Sequence, residues 1–340
     1  MRDFLKDLYG NGRKHLPRPV KGLFTYFLYR FGIKPSVDHR ESFFNRGIVV
    51  LSADFEMAWA FRYSKEEKND AITMGMQERS NVPIILTLLE KYQVPCTWAT
   101  VGHLMLDSCK KINGSIHEDM LRPGFFENRN WRFQAGDWYQ HDPGTNYQQD
   151  PAWYAPDLIE KILHAGVRHE IGCHTFSHID FTDANCSSEL AEAELSKCRE
   201  VAGERNLELK SLVFPGGTEG NHEVVKAQGF SCYRKPMAWD IAMPYLDSHG
   251  LVAIPSSYGL DKPEYNWSAK TCLKIAKSYV DKAARYKKVC HLWFHPSMHP
   301  WYLENVFPGV LQYIAESRQK GRIEVNTMRE LSDRFKTRMR

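Results

Sequence analysis

From Gly47 onward, short apolar or β-branched runs alternate along the chain with stretches of helical periodicity. Ile48–Ala53, Cys96–Val101, Glu170–Cys173, Ser211–Phe214, Ser231–Arg234, Leu251–Pro255, Val289–Phe294 and Ile323–Val325 read as strands. Helices are predicted near 76–92, 157–165, 187–205, 221–228, 268–286, 302–318 and 327–337. Runs that are apolar throughout, each followed by a helix, belong to a parallel sheet covered on both faces. Seven or eight such units over about 290 residues predict an α/β fold of the distorted (β/α) TIM-like barrel type. No Gly-x-Gly-x-x-Gly follows the first strand, which argues against a dinucleotide-binding sheet.

Two segments break this rhythm. Residues 1–46 carry ten Lys/Arg against four Asp/Glu, and the apolar, aromatic run Leu23–Phe31 lies among those basic residues. Such a segment suits a helix lying on an anionic membrane surface, or one packed on the main domain. The second is the excursion at about 103–156, which holds Phe125, Phe126, Trp131, Phe133, Trp138, Tyr139, Tyr147, Trp153 and Tyr154. Long excursions between barrel elements are often functional loops. Flat aromatic faces suit sugar rings, although a local aromatic core explains the same composition. The chain therefore divides into a basic amphipathic segment, 1–46, and a barrel, 47–340, bearing this insertion.

Composition narrows the function classes. With 43% apolar and 25% charged residues the chain is an ordinary globular protein, and a formal charge of +4 is too small to argue for nucleic acid. Eight cysteines contain no Cys-x-x-Cys pair and read as reduced, mostly buried thiols. No apolar stretch approaches the roughly 18–20 residues that span a bilayer, and no signal-peptide pattern opens the chain. A cytoplasmic location is expected, with residues 1–46 offering peripheral contact to the inner membrane.

Chemistry in a parallel barrel gathers where strands end. Three sequence features fall there. Asp54 and Glu56 close the first strand, and two carboxylates two residues apart share a face if the strand continues. His174 and His178 follow Glu170–Cys173, and a spacing of four brings two imidazoles to one side of a helical turn, suited to a divalent metal. His169-Glu170 before His174 is mis-spaced for a zincin. His295 leaves the strand Val289–Phe294 beside Trp293 and is a candidate proton donor.

In this order the three features resemble the NodB-type polysaccharide deacetylases of carbohydrate esterase family 4. His174-Thr-Phe-Ser-His178 matches the family's His-Ser/Thr-x-x-His, and Leu292-Trp-Phe-His295 its late Leu-x-x-His. Phe214-Pro-Gly-Gly217 falls where the family has Arg-x-Pro-x-Gly, with Val213 in the arginine's place. The resemblance implies a hydrolase dependent on zinc, or on cobalt, manganese or nickel. Its implied activity is removal of an N-acyl group, acetyl first, from an amino sugar of a glycan or glycan precursor. It further implies Asp54 as base, His295 as acid, and Glu56, His174 and His178 as metal ligands. The roles of Asp54 and Glu56 are open to exchange, because Phe55 stands where the family has its ligand carboxylate. Oxyanion donors are sought after His174 or in Pro215, Gly216 and Gly217; Trp138 and Trp293 are the candidate sugar-facing rings. Arg122 and Arg234 are the candidates to replace the missing arginine. A deformylase of a lipid-linked amino sugar and a glycan-binding barrel without catalysis are the alternatives.

Overall fold

The computed structural model describes residues 38, 40–65, 70–236, 240–261 and 267–339. The Leu23–Phe31 run lies outside the described residues. Barrel strands are β1 (Gly47–Phe55), β2 (Thr97–Thr100), β5 (Glu170–Cys173), β6 (Ser211–Val213), β7 (Cys232–Lys235) and β11 (Val289–Phe294), with β9 (Val252–Pro255) and β10 (Tyr258–Gly259) completing the set. All pair in parallel, in the order β10-β11-β1-β2-β5-β6-β7-β9.

This order closes on itself. β9 pairs with β7, and only two residues later the same extended segment, as β10, pairs with β11. Between them Ser256 N donates to Lys235 O and Ser257 N donates to His291 O, so the hydrogen bonding passes from one neighbour to the other within the bend. The result is a distorted (β/α) barrel. β8 (Tyr245–Leu246) lies antiparallel against β9, and β12 (Ile323–Asn326) pairs with the start of β1. A separate hairpin, β3 (Phe126–Glu127) with β4 (Arg132–Phe133), sits within the 103–156 excursion.

The period-2 pattern of β1 explains why the barrel has a dry end and a chemical end. Val49, Leu51, Ala53 and Phe55 belong to the large core between sheet and helices. Ile48 and Val50 point the other way and join Val213, Cys232, Val252, Ile254 and Val289 in a second cluster inside the barrel. That cluster is plugged by Met328, Leu331 and Phe335 of α8 (Met328–Met339). The next inward positions, Ser52 and Asp54, are polar, and they sit toward the strands' C-terminal ends.

The outer helices are α1 (Ala71–Tyr92), α2 (Pro156–Leu163), α3 (Ser188–Gly203), α4 (His222–Ala227), α5 (Ala269–Tyr286), α6 (Pro300–Asn305) and α7 (Phe307–Gln319). α1 starts earlier than its periodicity suggests, because Asp70 caps it by accepting from Thr73 N at 2.8 Å. The single helix expected over 302–318 is two, α6 and α7. Pro308 falls one residue into the second, a position it tolerates at a helix start and not in an interior. All eight cysteines are buried and free. No described helix is long and apolar enough to cross a membrane.

Candidate active site

Asp54 and Glu56 leave β1 at the barrel's C-terminal rim, each 4% exposed. Glu56 follows the last strand residue, and Met57 turns the chain sharply with a φ of 47°, in the left-handed region. Glu78 of α1 holds this corner by accepting from Glu56 N at 2.9 Å. Burial, and then the Glu56 charge, push the Glu78 carboxyl well above its ordinary range.

His174 and His178 come together, but not on a helical turn. The loop after β5 is irregular, with Thr175 at φ 60° and His178 at φ 55°. Side-chain bonds hold it: Glu194 of α3 accepts from Ser177 N at 2.8 Å and from Ser177 Oγ at 2.5 Å. Trp138 Nε1 also donates to Ser177 Oγ, at 2.8 Å. Expected to face sugar, Trp138 is instead 2% exposed and stacks on Tyr63. It supports the histidine loop from behind. Phe126, Phe133, Tyr139, Trp153 and Tyr154 are likewise buried, so most of the excursion's aromatics build a local core.

Both imidazoles converge on Glu56. Its Oε2 lies 3.1 Å from His174 Nε2 and 3.0 Å from His178 Nε2. His174 Nδ1 is 2.8 Å from Val213 O, and because a carbonyl can only accept, the ring proton sits on Nδ1. That leaves Nε2 as the ring atom turned toward the Glu56 carboxylate. Burial pushes His178 down to about 4, against the opposing pull of Glu56, so this ring is neutral near pH 7. Burial would raise Glu56, but His295 and the two imidazoles outweigh it and hold the carboxyl well below its usual range. Two imidazole nitrogens and a carboxylate oxygen this close together form a donor set suited to a divalent cation.

Asp54 makes a two-pronged pair with Arg234 of β7, at 2.5 Å to Nη1 and 2.6 Å to Nη2. Burial alone would raise this carboxyl. The Arg234 charge and its hydrogen bonds, helped by His174 and His295, hold it below its ordinary range. Arg234 also donates to Ser52 Oγ at 3.1 Å and lies 4.9 Å from the Trp293 ring centroid. Val213 and Arg234 are direct partners in the β6–β7 register. The cation missing from β6 is thus supplied from the neighbouring strand at the same level. Arg122 is occupied elsewhere, bound to Asp137 and to the carbonyls of Ile116, His117 and Met120.

His295 completes the group. Its Nε2 is 3.5 Å from Glu56 Oε1 and 3.8 Å from Asp54 Oδ2, and its side chain is 42% exposed. These residues line a cavity of about 780 Å³, shared with Trp293, Gly216, Gly217, Trp131, Asn130 and Arg129. Gly216 is required where it stands: its φ is 58°, and a Cβ would fall 2.5 Å from the Trp131 ring. Pro215 is buried and has no N–H, and Gly217 N donates to Phe214 O, so neither supplies an oxyanion donor. Trp131 and Arg129 escaped the sequence reading as members of this site; nothing in their spacing marks them, and only the β3–β4 hairpin carries them to the rim.

Removing the Arg234 charge tests this electrostatic account. Arg234→Met takes away the main influence lowering Asp54 and leaves the burial that raises it. The acid limb of the kcat/KM profile should therefore move to higher pH, with the loss of activity smallest at alkaline pH. Arg234→Lys should keep part of the shift, since it restores charge but not the fork. An acid limb that stays in place in both variants contradicts the coupling.

The polysaccharide deacetylase family model matches residues 63–230. No curated protein matches the chain. Among solved structures, a protein from Mycobacterium smegmatis described as a candidate polysaccharide deacetylase aligns with a TM-score of 0.61 at 15% identity, over 90% of this chain and 96% of that one. Weaker likenesses include a family 4 carbohydrate esterase from Streptomyces lividans bound to acetate (TM-score 0.42, 12% identity, 83% and 93% covered). Another is a family 4 acetyl xylan esterase from Clostridium thermocellum bound to cobalt (TM-score 0.42, 14% identity, 84% and 89% covered). The family match takes in His174 and His178 but stops short of Asp54 and Glu56 on one side and Arg234 and His295 on the other.

Proposed function

We propose, from the match of residues 63–230 to the polysaccharide deacetylase family model, that this chain is a divalent-metal-dependent hydrolase removing an N-acyl group, acetyl first, from an amino sugar of a glycan or glycan precursor. One observation carries this reading: Asp54 with Arg234, Glu56, His178 and His295 line a single cavity, and His174, buried behind its wall, turns Nε2 to the same Glu56 oxygen as His178.

Glu56, His174 and His178 would hold the ion, zinc by preference for this nitrogen and oxygen set. When bound there, such an ion polarises an acyl carbonyl and acidifies a water. The chain's own groups manage the protons. Asp54, kept ionised and aimed by Arg234, takes the proton of the attacking water on its carboxylate. His295 Nε2 delivers a proton to the departing amine nitrogen, which leaves poorly without one. Trp131 and Trp293 offer ring faces or edges to a sugar on either side of the cavity. A binding module without catalysis would have little use for a buried carboxylate held ionised by an in-register arginine, and this favours the enzyme.

Chelator should abolish release of acetate from N-acetylated glycan oligosaccharides, and added Zn²⁺ should restore it. His174→Ala and His178→Ala should each carry one metal equivalent fewer than the parent protein. Undiminished acetate release after metal removal, or full metal content in both variants, would reject the reading.

A further inference from the structure

A second group of metal-binding side chains lies behind the active site. His103 stands in the turn that follows β2, and Cys109, His117 and Asp142 come from the excursion. Their ligand atoms crowd together. His103 Nε2 is 2.7 Å from Asp142 Oδ2, 3.1 Å from His117 Nε2 and 3.2 Å from Cys109 Sγ. His117 Nε2 is 3.2 Å from the same Asp142 oxygen and 3.5 Å from Cys109 Sγ.

Hydrogen bonding does not account for this packing. A ring nitrogen carries either one in-plane proton or one in-plane lone pair. Each of these two nitrogens nevertheless has three partners within reach, one of them the other imidazole nitrogen. A single central cation satisfies all four atoms at once. Ligand distances of about 2.0–2.3 Å around tetrahedral zinc place neighbouring ligand atoms about 3.3–3.6 Å apart. Four of the five separations above are 3.1–3.5 Å. The charges also fit, since a thiolate and a carboxylate balance a dication while both imidazoles stay neutral.

The surroundings hold the four groups in place. Tyr154 OH donates to the outer oxygen of Asp142, Oδ1, at 2.6 Å, and Gly144 N donates to it at 2.9 Å, leaving Oδ2 to the cluster. His117 has a φ of 51°, a rare conformation for a non-glycine residue, with Arg122 gripping the carbonyls of Ile116 and His117. Cys109 and His117 also line a surface cavity of about 440 Å³, which gives an ion a way in.

We propose that His103, Cys109, His117 and Asp142 form a second, structural metal site for a zinc-like divalent ion, distinct from the catalytic set. It ties three points of the excursion to the end of β2. The excursion also supplies Trp131 and Arg129 to the catalytic cavity and Trp138 to the histidine loop. The site thus fixes elements that the active site relies on without touching substrate.

Sulfur distinguishes the two sites, since Glu56, His174 and His178 include none. Full-length protein produced in cobalt-supplemented medium should show an intense near-ultraviolet thiolate-to-cobalt band and two Co²⁺ per chain. His174→Ala should keep the band and lose one ion. Cys109→Ser should lose both the band and one ion, and His117→Ala one ion. In the His174→Ala background, Zn²⁺ should still raise Tm, and adding Cys109→Ser should remove that rise. No thiolate band in the parent protein, or a band that survives Cys109→Ser, overturns the assignment. Either result leaves the catalytic proposal standing, because that is read from acetate release.

Discussion

Replacing Asp54 by asparagine should lower turnover by about 10²–10⁴-fold, the usual contribution of a positioned proton acceptor. An amide keeps the size of the side chain and can still accept from Arg234, but it cannot take the proton of the attacking water. The substitution also leaves a largely buried guanidinium without its countercharge, which destabilises the protein, so rates should be compared per folded, metal-loaded molecule. Glu56→Gln should behave differently. Glu56 is the carboxylate that both imidazoles face, so its loss should reduce metal affinity, and excess metal should recover part of the activity. If Asp54→Asn loses metal while Glu56→Gln keeps it, the two carboxylates have exchanged roles. Normal turnover in both would remove the strand end from the mechanism.

His295→Ala should retain fold and metal, since the side chain is partly exposed and lies by Glu56 Oε1, not by the Oε2 that His174 and His178 face. Turnover on an N-acetyl substrate should fall by about 10²–10⁴-fold. The deficit should be smaller on an O-acetyl analogue, because an alkoxide departs with less need for prior protonation than an amine. Equal losses on amide and ester would place His295 in charge stabilisation instead. An unchanged amide rate would exclude it.

The barrel was legible because short, mostly apolar runs recur along the chain, each followed by a helical pattern, as in a sheet buried on both faces. Strands such as β8 and β10, two residues each, are set by their neighbours and leave no such signature. Within the site, Asp54, Glu56, His174 and His295 were legible because strand ends concentrate chemistry. The geometry joining them was not. A spacing of four suggested a helical turn at His174–His178, whereas Thr175 and His178 in left-handed conformations, pinned through Ser177, bring the rings together in a loop. Arg234 was one of two candidates, and choosing between them required the register that sets it beside Val213. Trp138 was misread because aromatic content does not say which face is wet. His103, Cys109, His117 and Asp142 went unnoticed since their spacings follow no common ligand pattern.

The bend at Ser256–Ser257 has a consequence for how this protein tolerates change. Around most of the barrel, neighbouring strands are joined through helices and loops that can lengthen or shorten while the ring absorbs nothing. The segment from Val252 to Gly259 has no such slack, because two residues separate its pairing with β7 from its pairing with β11. It acts as a clasp of fixed length. Arg234 sits on one side of it and His295 follows the strand on the other, so the clasp sets the gap between the Asp54–Arg234 pair and His295. Added or lost residues here would slip one register against the other and turn side chains from inside to outside. A stretch that carries none of the chemistry is therefore among the least forgiving places in the chain to alter.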